Sequence, residues 1–377
     1  MKIAIDVSQI VYEGTGVANY TYQLVKKLIS IDRDNKYLLF GLSLRQKSKL
    51  ISFFDELKVL NNTIETRIIP IPQRLGNYIW NNLHIYNLEN MIGDFDLYHS
   101  SDWIEFPSRS KKVTTIHDLI ILKHPYLSHP YIVKTQKKRL SWVVKEADLI
   151  LADSLSTKTD IEKYLKVKPG KIEVVNPGID KIYQPQSTEA VNWIRHKYQI
   201  PGEYVLMVGT LEPRKNLEMV ITAFERFLNH SLISSRKKPI EMVVAGKYGW
   251  GEKPAANKNI KLLGFVDKKE LPSLYSGAKV LIYPSLYEGF GLPVLEAMAC
   301  GCPVISSNQG SLKEIVNEAA LLVDSQTGED ITSKLTQIFI DDDLRKTLIE
   351  KGLNNVRKFD WDKSAKKIIS LYNKVSI

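Results

Sequence analysis

The sequence predicts an α/β protein built from two Rossmann-like domains with parallel sheets, and three observations carry that expectation. Short β-rich apolar runs alternate with segments of helical period from end to end, the pattern of parallel sheets flanked by helices. The alternation breaks once, over residues 176–186, where Asn-Pro-Gly-Ile-Asp and Tyr-Gln-Pro-Gln gather the turn formers of a linker. At 377 residues the chain also exceeds what one hydrophobic core ordinarily serves. The domain boundary is therefore placed after residue 180.

The first series opens with a buried strand from Lys2 to Val7. A loop bearing Gly14 and Gly16 follows, then a helix whose apolar face is Val17, Tyr20, Leu24 and Leu28. Further strands are expected over 37–40, 96–99, 113–116, 148–152 and 172–175. The second series places strands over 204–208, 242–245, 280–283, 304–306 and 321–323. Two such sheets facing one another make a cleft, and open parallel sheets bind ligands outside the carboxyl ends of their strands. Functional residues are accordingly sought just after strands.

Composition narrows the class. The hydrophobic fraction of 44% and charged fraction of 25% are those of an ordinary globular protein. Asp6 interrupts any apolar leader, and the most apolar long stretch, 280–298, is broken by Pro284, Glu288, Pro293 and Glu296. Neither a secretion signal nor a membrane span is expected. The only cysteines, Cys300 and Cys302, are too close for an ordinary bridge and too few for a metal site. Buried reduced thiols in a cytoplasmic protein are the expectation. The net charge of +10 is shared evenly between the two halves, which argues against a nucleic-acid partner.

The strongest chemical signal is Tyr-Pro-Ser-Leu-Tyr-Glu-Gly-Phe-Gly-Leu-Pro-Val-Leu-Glu over 283–296, which leaves a strand and ends inside a helix. Gly289 and Gly291 let the backbone approach a ligand closely, and Pro293 suits the first turn of a helix whose free amides favour an anion. Glu288 and Glu296 bracket that strand end and suit sugar and ribose hydroxyls; alone, either acid would merely compensate a helix dipole. A second junction, Met207-Val-Gly-Thr-Leu-Glu-Pro-Arg-Lys-Asn-Leu217, sets Arg214 and Lys215 before a helix starting near Asn216. Two cations there offer to neutralise a departing diphosphate. A third, Thr114-Thr-Ile-His-Asp118, delivers His117 to a strand end, within reach of a sugar hydroxyl. The first glycine loop fails the dinucleotide fingerprint because Asn19 replaces its third glycine, and no P-loop is present.

The segment 280–324, with its two glutamates flanking Gly-Phe-Gly, resembles the signature of glycosyltransferase family 4. Gly-Thr-Leu-Glu-Pro-Arg-Lys-Asn-Leu, Val244-Ala-Gly-Lys-Tyr-Gly-Trp250 and Leu263-Gly-Phe-Val-Asp267 are similar to other segments of that family's donor domain. The resemblance implies a GT-B fold, transfer with retention of anomeric configuration and no required metal or other cofactor. It also implies an acceptor-binding domain over 1–180, completed by a C-terminal helix over 360–377 that crosses back to it. The donor domain spans 181–359. By position, Glu296 would hold the ribose hydroxyls, Glu288 with the amides of Gly289, Phe290 and Gly291 the transferred sugar, and Arg214 and Lys215 the diphosphate. His117 would meet a sugar hydroxyl near the reacting carbon and Gly16 the donor phosphates. Gly209, Gly246, Phe265, Val266 and Leu292 complete the implied donor site. His117, Arg214, Lys215 and Glu288 are its implied catalytic set. One departure is Thr210, where many members carry Arg, so that Arg214 must supply that charge.

The wording of these segments looks most like the mannosyltransferase-type members, which points to GDP-mannose as donor, with UDP-sugars the alternative. A carbohydrate or lipid-linked glycan is the expected acceptor. Trp80, His84, Trp103 and Tyr126 are candidate sugar-lining residues. The cations Lys134, Lys137, Lys138 and Arg139 suit weak contact with the anionic inner face of the cell membrane. Two rival readings are a sugar-nucleotide epimerase of the same architecture and a non-catalytic sugar-nucleotide sensor.

Overall fold

Seven parallel strands form the first sheet: β1 (Lys2–Asp6), β2 (Lys36–Leu42), β3 (Glu65–Ile69), β4 (Leu97–Ser100), β5 (Lys111–Ile116), β6 (Leu149–Ala152) and β7 (Ile172–Val174). Their spatial order is β3-β2-β1-β4-β5-β6-β7. Six more form the second: β8 (Glu203–Val208), β9 (Ile240–Ala245), β10 (Ile260–Gly264), β11 (Val280–Tyr283), β12 (Val304–Ser307) and β13 (Leu321–Val323), ordered β10-β9-β8-β11-β12-β13. Each order reverses beside its first strand, so the loops leaving β1 and β4, and those leaving β8 and β11, diverge at a topological switch point. The computed structural model describes residues 1–100, 102–236, 238–251 and 258–376.

The chain folds as two units, Met1–Gly178 with Asp360–Ile377, and Ile179–Phe359. In the first, the Gly16–Ile31 helix buries Tyr20, Leu24 and Leu28 as its periodicity requires, while Val17 is half-buried. Thr15 starts that helix by accepting the Ala18 amide on its hydroxyl. Trp361, Ala365, Ile368 and Tyr372 of the C-terminal Trp361–Ser376 helix join the same core. A side chain the size of Ile368 stabilises by roughly 1.5–3 kcal/mol when fully buried. Ser364 donates to the Asn176 carbonyl at 2.6 Å, and a Cβ on Gly178 would lie 2.1 Å from the Trp361 amide nitrogen. The glycine of the linker is thus needed for close passage of two backbones. The sequence reading of that helix reaches Ile377, which lies outside the described residues.

Every strand expected from sequence is present, and β3 and β10 were not expected. Both are edge strands that bury little: Glu65, Thr66 and Arg67 make β3 mostly polar, and β10 is only half-covered. Neither has the continuous apolar run by which a central parallel strand is read, whereas the opposite edges, β7 and β13, fall within stretches expected from sequence. Cys300 and Cys302 are free, buried thiols in the core of the second unit.

Candidate active site

In the second unit the site grows from the switch point. β8 and β11 are paired neighbours, so the loops that follow them start side by side. Gly209 leaves β8 with φ near +140°, a backbone region that favours glycine. A Cβ on Gly246, at the end of β9, would sit 1.8 Å from the Gly209 carbonyl oxygen. The two strand ends therefore touch only because residue 246 has no side chain. The β8 loop then makes one tight turn over Pro213–Lys215 and enters the Leu217–Leu228 helix at Asn216, itself left-handed with φ near +60°. Leu286 of the β11 loop donates its amide to the Arg214 carbonyl at 2.9 Å.

This places Arg214 and Lys215 against Glu288. Arg214 Nη1 donates to Glu288 Oε2 at 2.5 Å while its Nη2 reaches Glu212 Oε1 at 2.9 Å. Lys215 Nζ donates to Glu288 Oε1 at 2.5 Å and also to the Tyr283 hydroxyl, which in turn donates to Glu288 at 3.1 Å. Burial opposes ionisation of Glu288, but the Arg214 and Lys215 charges outweigh it and hold its pKa down at about 2. Burial and the Arg214 charge lower the pKa of Lys215. Ser311 fixes the loop from behind, donating to the Glu288 carbonyl at 2.7 Å.

Gly291 begins the Leu292–Ala299 helix with φ near +114°, and a Cβ there would come within 2.5 Å of Leu312. Gly289 is not in that region. The Phe290 side chain is packed in the core against Phe359, leaving only its backbone for a ligand, and Leu292 is half-buried. Glu296, on the same helix, is buried beside tyrosines, and the cation that acts on its charge is Lys268. Tyr275 donates to its Oε2 at 3.0 Å, and burial pushes its pKa up to about 7. Past β10, Val266 is core whereas Phe265 is 52% exposed, with Lys247 Nζ lying 4.3 Å from its ring centre.

In the first unit His117 follows β5 and Asp153 follows its neighbour β6, in register through the Ile116 and Ala152 pair. The His117 Nδ1–H donates to Asp153 Oδ2 at 2.7 Å, and the Tyr20 ring meets the imidazole edge-on at 4.6 Å. Asp118 instead accepts the Ile120 amide and shapes the loop. Gly16 opens its helix beside open space: a Cβ there would meet nothing within 4 Å among the described residues. Gly14 takes the left-handed turn with φ near +84°.

Several expectations need correction. Trp80 is not a sugar-lining residue: it is 1% exposed and packs on Phe106. His84 is stacked on Trp142 and bonded to Glu146, and Trp103 packs on the Trp80 core, which leaves Tyr126 as the exposed ring of the four. Arg139 does not face outward with Lys134, Lys137 and Lys138. It is fully buried and donates to Thr114 Oγ1 and the Thr115 carbonyl. Sequence reasoning also missed Asp153, Tyr275, Tyr283 and Ser311. Asp153 obeyed the same rule as His117, since it directly follows a strand; the tyrosines were absorbed into apolar runs.

Among the described residues, no three His, Cys, Asp or Glu come together as a metal-ligating group, and no helix is long and apolar enough to cross a membrane.

Comparison with known proteins divides at the same linker. Residues 14–181 match the model described as Glycosyltransferase Family 4, and residues 194–355 that of Glycosyl transferases group 1. The O-antigen chain mannosyltransferase B of Escherichia coli is 28% identical over 391 residues, covering 99% of both chains. Among solved structures, sucrose-phosphate synthase from Thermosynechococcus elongatus superposes with a TM-score of 0.74 at 20% identity, covering 100% of this chain and 99% of that one. HepE from Anabaena, solved with UDP-glucose, gives 0.73 at 16% identity, with 99% and 100% covered. These two share the fold.

Proposed function

The chain belongs to the family 4 glycosyltransferases and has their GT-B fold, and from that premise we propose that it moves a mannosyl residue from GDP-mannose onto a carbohydrate or lipid-linked glycan acceptor, with retention of configuration. The observation that carries this reading is the Glu288 carboxylate clamped between Arg214 and Lys215, with Glu296 one helix turn beyond the glycine loop. In it, Glu296 accepts or shares hydrogen bonds with the ribose hydroxyls, and the Gly289 to Gly291 backbone with Glu288 holds the hexose. Gly209, Gly246, Phe265 and Val266 frame the rest of the nucleotide site.

The chemistry asked of the protein is electrostatic. The bond from the hexose C1 to the diphosphate breaks, and the bond from C1 to the acceptor oxygen forms on the same face. The acceptor proton passes to the departing phosphate oxygen. Negative charge grows on the diphosphate, where Arg214 and Lys215 supply the compensating cations without a metal. His117 meets a hydroxyl of the transferred sugar, and the Gly16 helix start meets the donor phosphates. The mannose assignment is supported by the O-antigen mannosyltransferase relative; that protein's activity offers no support to an epimerase or a sensor. Lys134, Lys137 and Lys138 remain exposed on the Pro130–Glu146 helix and suit peripheral attachment of a cytoplasmic enzyme to an anionic bilayer.

A thermal-shift screen across GDP, UDP and ADP sugars tests the reading. GDP-mannose is expected to raise Tm most, Glu296→Ala to abolish the shift, and EDTA to leave transfer unchanged. No shift with any donor would sink the proposal.

A further inference from the structure

We infer that Asp153 is a positioning residue for His117: it takes the Nδ1–H, fixes the ring with Nε2 as the nitrogen that meets the sugar, and by its charge favours the protonated ring, whose Nε2–H donates. The inference rests on the reading that His117 contacts the donor sugar, and it adds how the chain prepares that histidine.

The geometry is that of a carboxylate and imidazole held by two neighbouring strands. The 2.7 Å bond joins Nδ1 to Asp153 Oδ2, and a carboxylate only accepts, so the proton on that side belongs to the ring. Asp153 is nearly fully buried, with its Oδ1 otherwise unpartnered among the described residues, so His117 is the principal charge it faces. The imidazole retains 16% exposure, so one edge of the ring is open. Ser154 caps the Leu155–Leu165 helix immediately after Asp153, and the Thr157 hydroxyl reaches the His117 carbonyl at 3.3 Å, which anchors both backbones. Tyr20 closes the ring's side and is itself packed edge-on against Trp361 at 5.5 Å, so the C-terminal helix braces the pair.

Among the described residues, charged and titratable groups reach the ring from several elements. Asp153 comes from the end of β6, Asp102 from beyond β4, Arg139 from the Pro130–Glu146 helix, His99 from β4 and Tyr20 from the first helix. Burial disfavours the imidazolium and Arg139 opposes it, but Asp153 and Asp102 outweigh both, and the His117 pKa is raised. His99 carries no charge here, since burial drives its pKa to about 3. Arg139 is itself tied to Asp102 at 3.5 Å, which blunts its repulsion.

The test uses the full chain with its histidine ring protons followed by NMR, His117 being assigned with His117→Gln. The wild-type ring is expected to titrate above the ordinary histidine value. Asp153→Asn, which keeps shape and loses charge, is expected to lower that pKa by about one unit or more. In the transfer assay kcat should fall roughly 10- to 100-fold with KM for the donor little changed, as where a histidine's orienting partner is lost. The decline of kcat at alkaline pH should begin at lower pH in the variant, because the active form is the protonated ring. Asp153→Glu should recover part of the rate and the ring pKa, which a merely structural role would not require.

An unchanged ring pKa in Asp153→Asn would overturn the pairing. A lowered ring pKa with unchanged kcat and pH profile would overturn the positioning role while leaving the transferase reading intact. Failure of that reading has its own signature, absence of transfer by the wild type, and the NMR arm still decides the pairing. Melting curves and far-UV spectra of both variants separate a folding defect from either result.

Discussion

Glu288 and Glu296 lie on one short stretch of chain, at almost equal burial, yet their surroundings drive them in opposite directions. Glu288 has two cations and a tyrosine on its oxygens and is held anionic, with a pKa of about 2. Glu296 has tyrosines for neighbours and is held near half-protonation at pH 7. Burial alone raises both; only the partner decides the sign. The difference teaches that one carboxylate is a fixed charge organising its loop, whereas the other is a hydrogen-bonding group poised between its charged and neutral forms.

The largest way to break that contrast is Glu288→Gln. It strands Lys215 and Arg214 beside each other with no carboxylate between them, and removing one member of a buried ion cluster costs about 3–5 kcal/mol. Urea unfolding should show that loss near pH 7, together with loss of donor-induced stabilisation. If Glu288→Gln unfolds as the wild type does, the cluster is not what holds the loop.

A comparison across pH sharpens the contrast because the two acids carry opposite slopes. The Glu288 pKa is depressed below its unfolded value, so its contribution is fully present above about pH 4.5 and is lost as pH falls towards about 2. For Glu296 the folded pKa is raised, so the unfolded chain releases its proton first and stability falls as pH rises from about 4.5 to about 7. Each window is worth on the order of 3 kcal/mol. Glu296→Gln should therefore gain on the wild type between pH 5 and pH 8, and Glu288→Gln should converge with it below pH 4. Parallel stability curves for all three proteins would remove the contrast.

Smallest is Tyr275→Phe, which takes one donor from Glu296 and should cost about 1 kcal/mol. Its informative readout is the midpoint of the alkaline loss, which should move to higher pH, since the Tyr275 hydrogen bond lowers the Glu296 pKa. Unfolding at pH 6 and pH 8 checks it; a midpoint that moves down would mean that Tyr275 does not bond the charged form.

Much of the fold was legible because its causes are local. The helix face of Tyr20, Leu24 and Leu28 follows from the period of a helix, and central strands such as β8 and β11 are near-continuous apolar runs. Edge strands β3 and β10 lacked that signal. Among the candidate residues, Arg214 and Lys215 follow β8, Glu288 follows β11 and His117 follows β5, which is where one rule, that ligands gather after strand ends, directs attention. The rule does not say which side chains turn outward. Trp80 and Arg139 looked like surface chemistry and proved to be interior, because an aromatic ring or a long cation in sequence carries no mark of the space awaiting it.

The sequence by itself determined where strands, turns and helix starts fall, and hence which residues stand at strand ends, because periodicity and turn chemistry act over a few neighbours. Only the tertiary structure decided who meets whom. Lys215 reaches Glu288 because β8 and β11 are paired, and His117 reaches Asp153 because β5 and β6 are. Strand order brings together residues far apart in the chain, and protonation follows from those meetings and from burial, neither of which any short stretch of sequence contains.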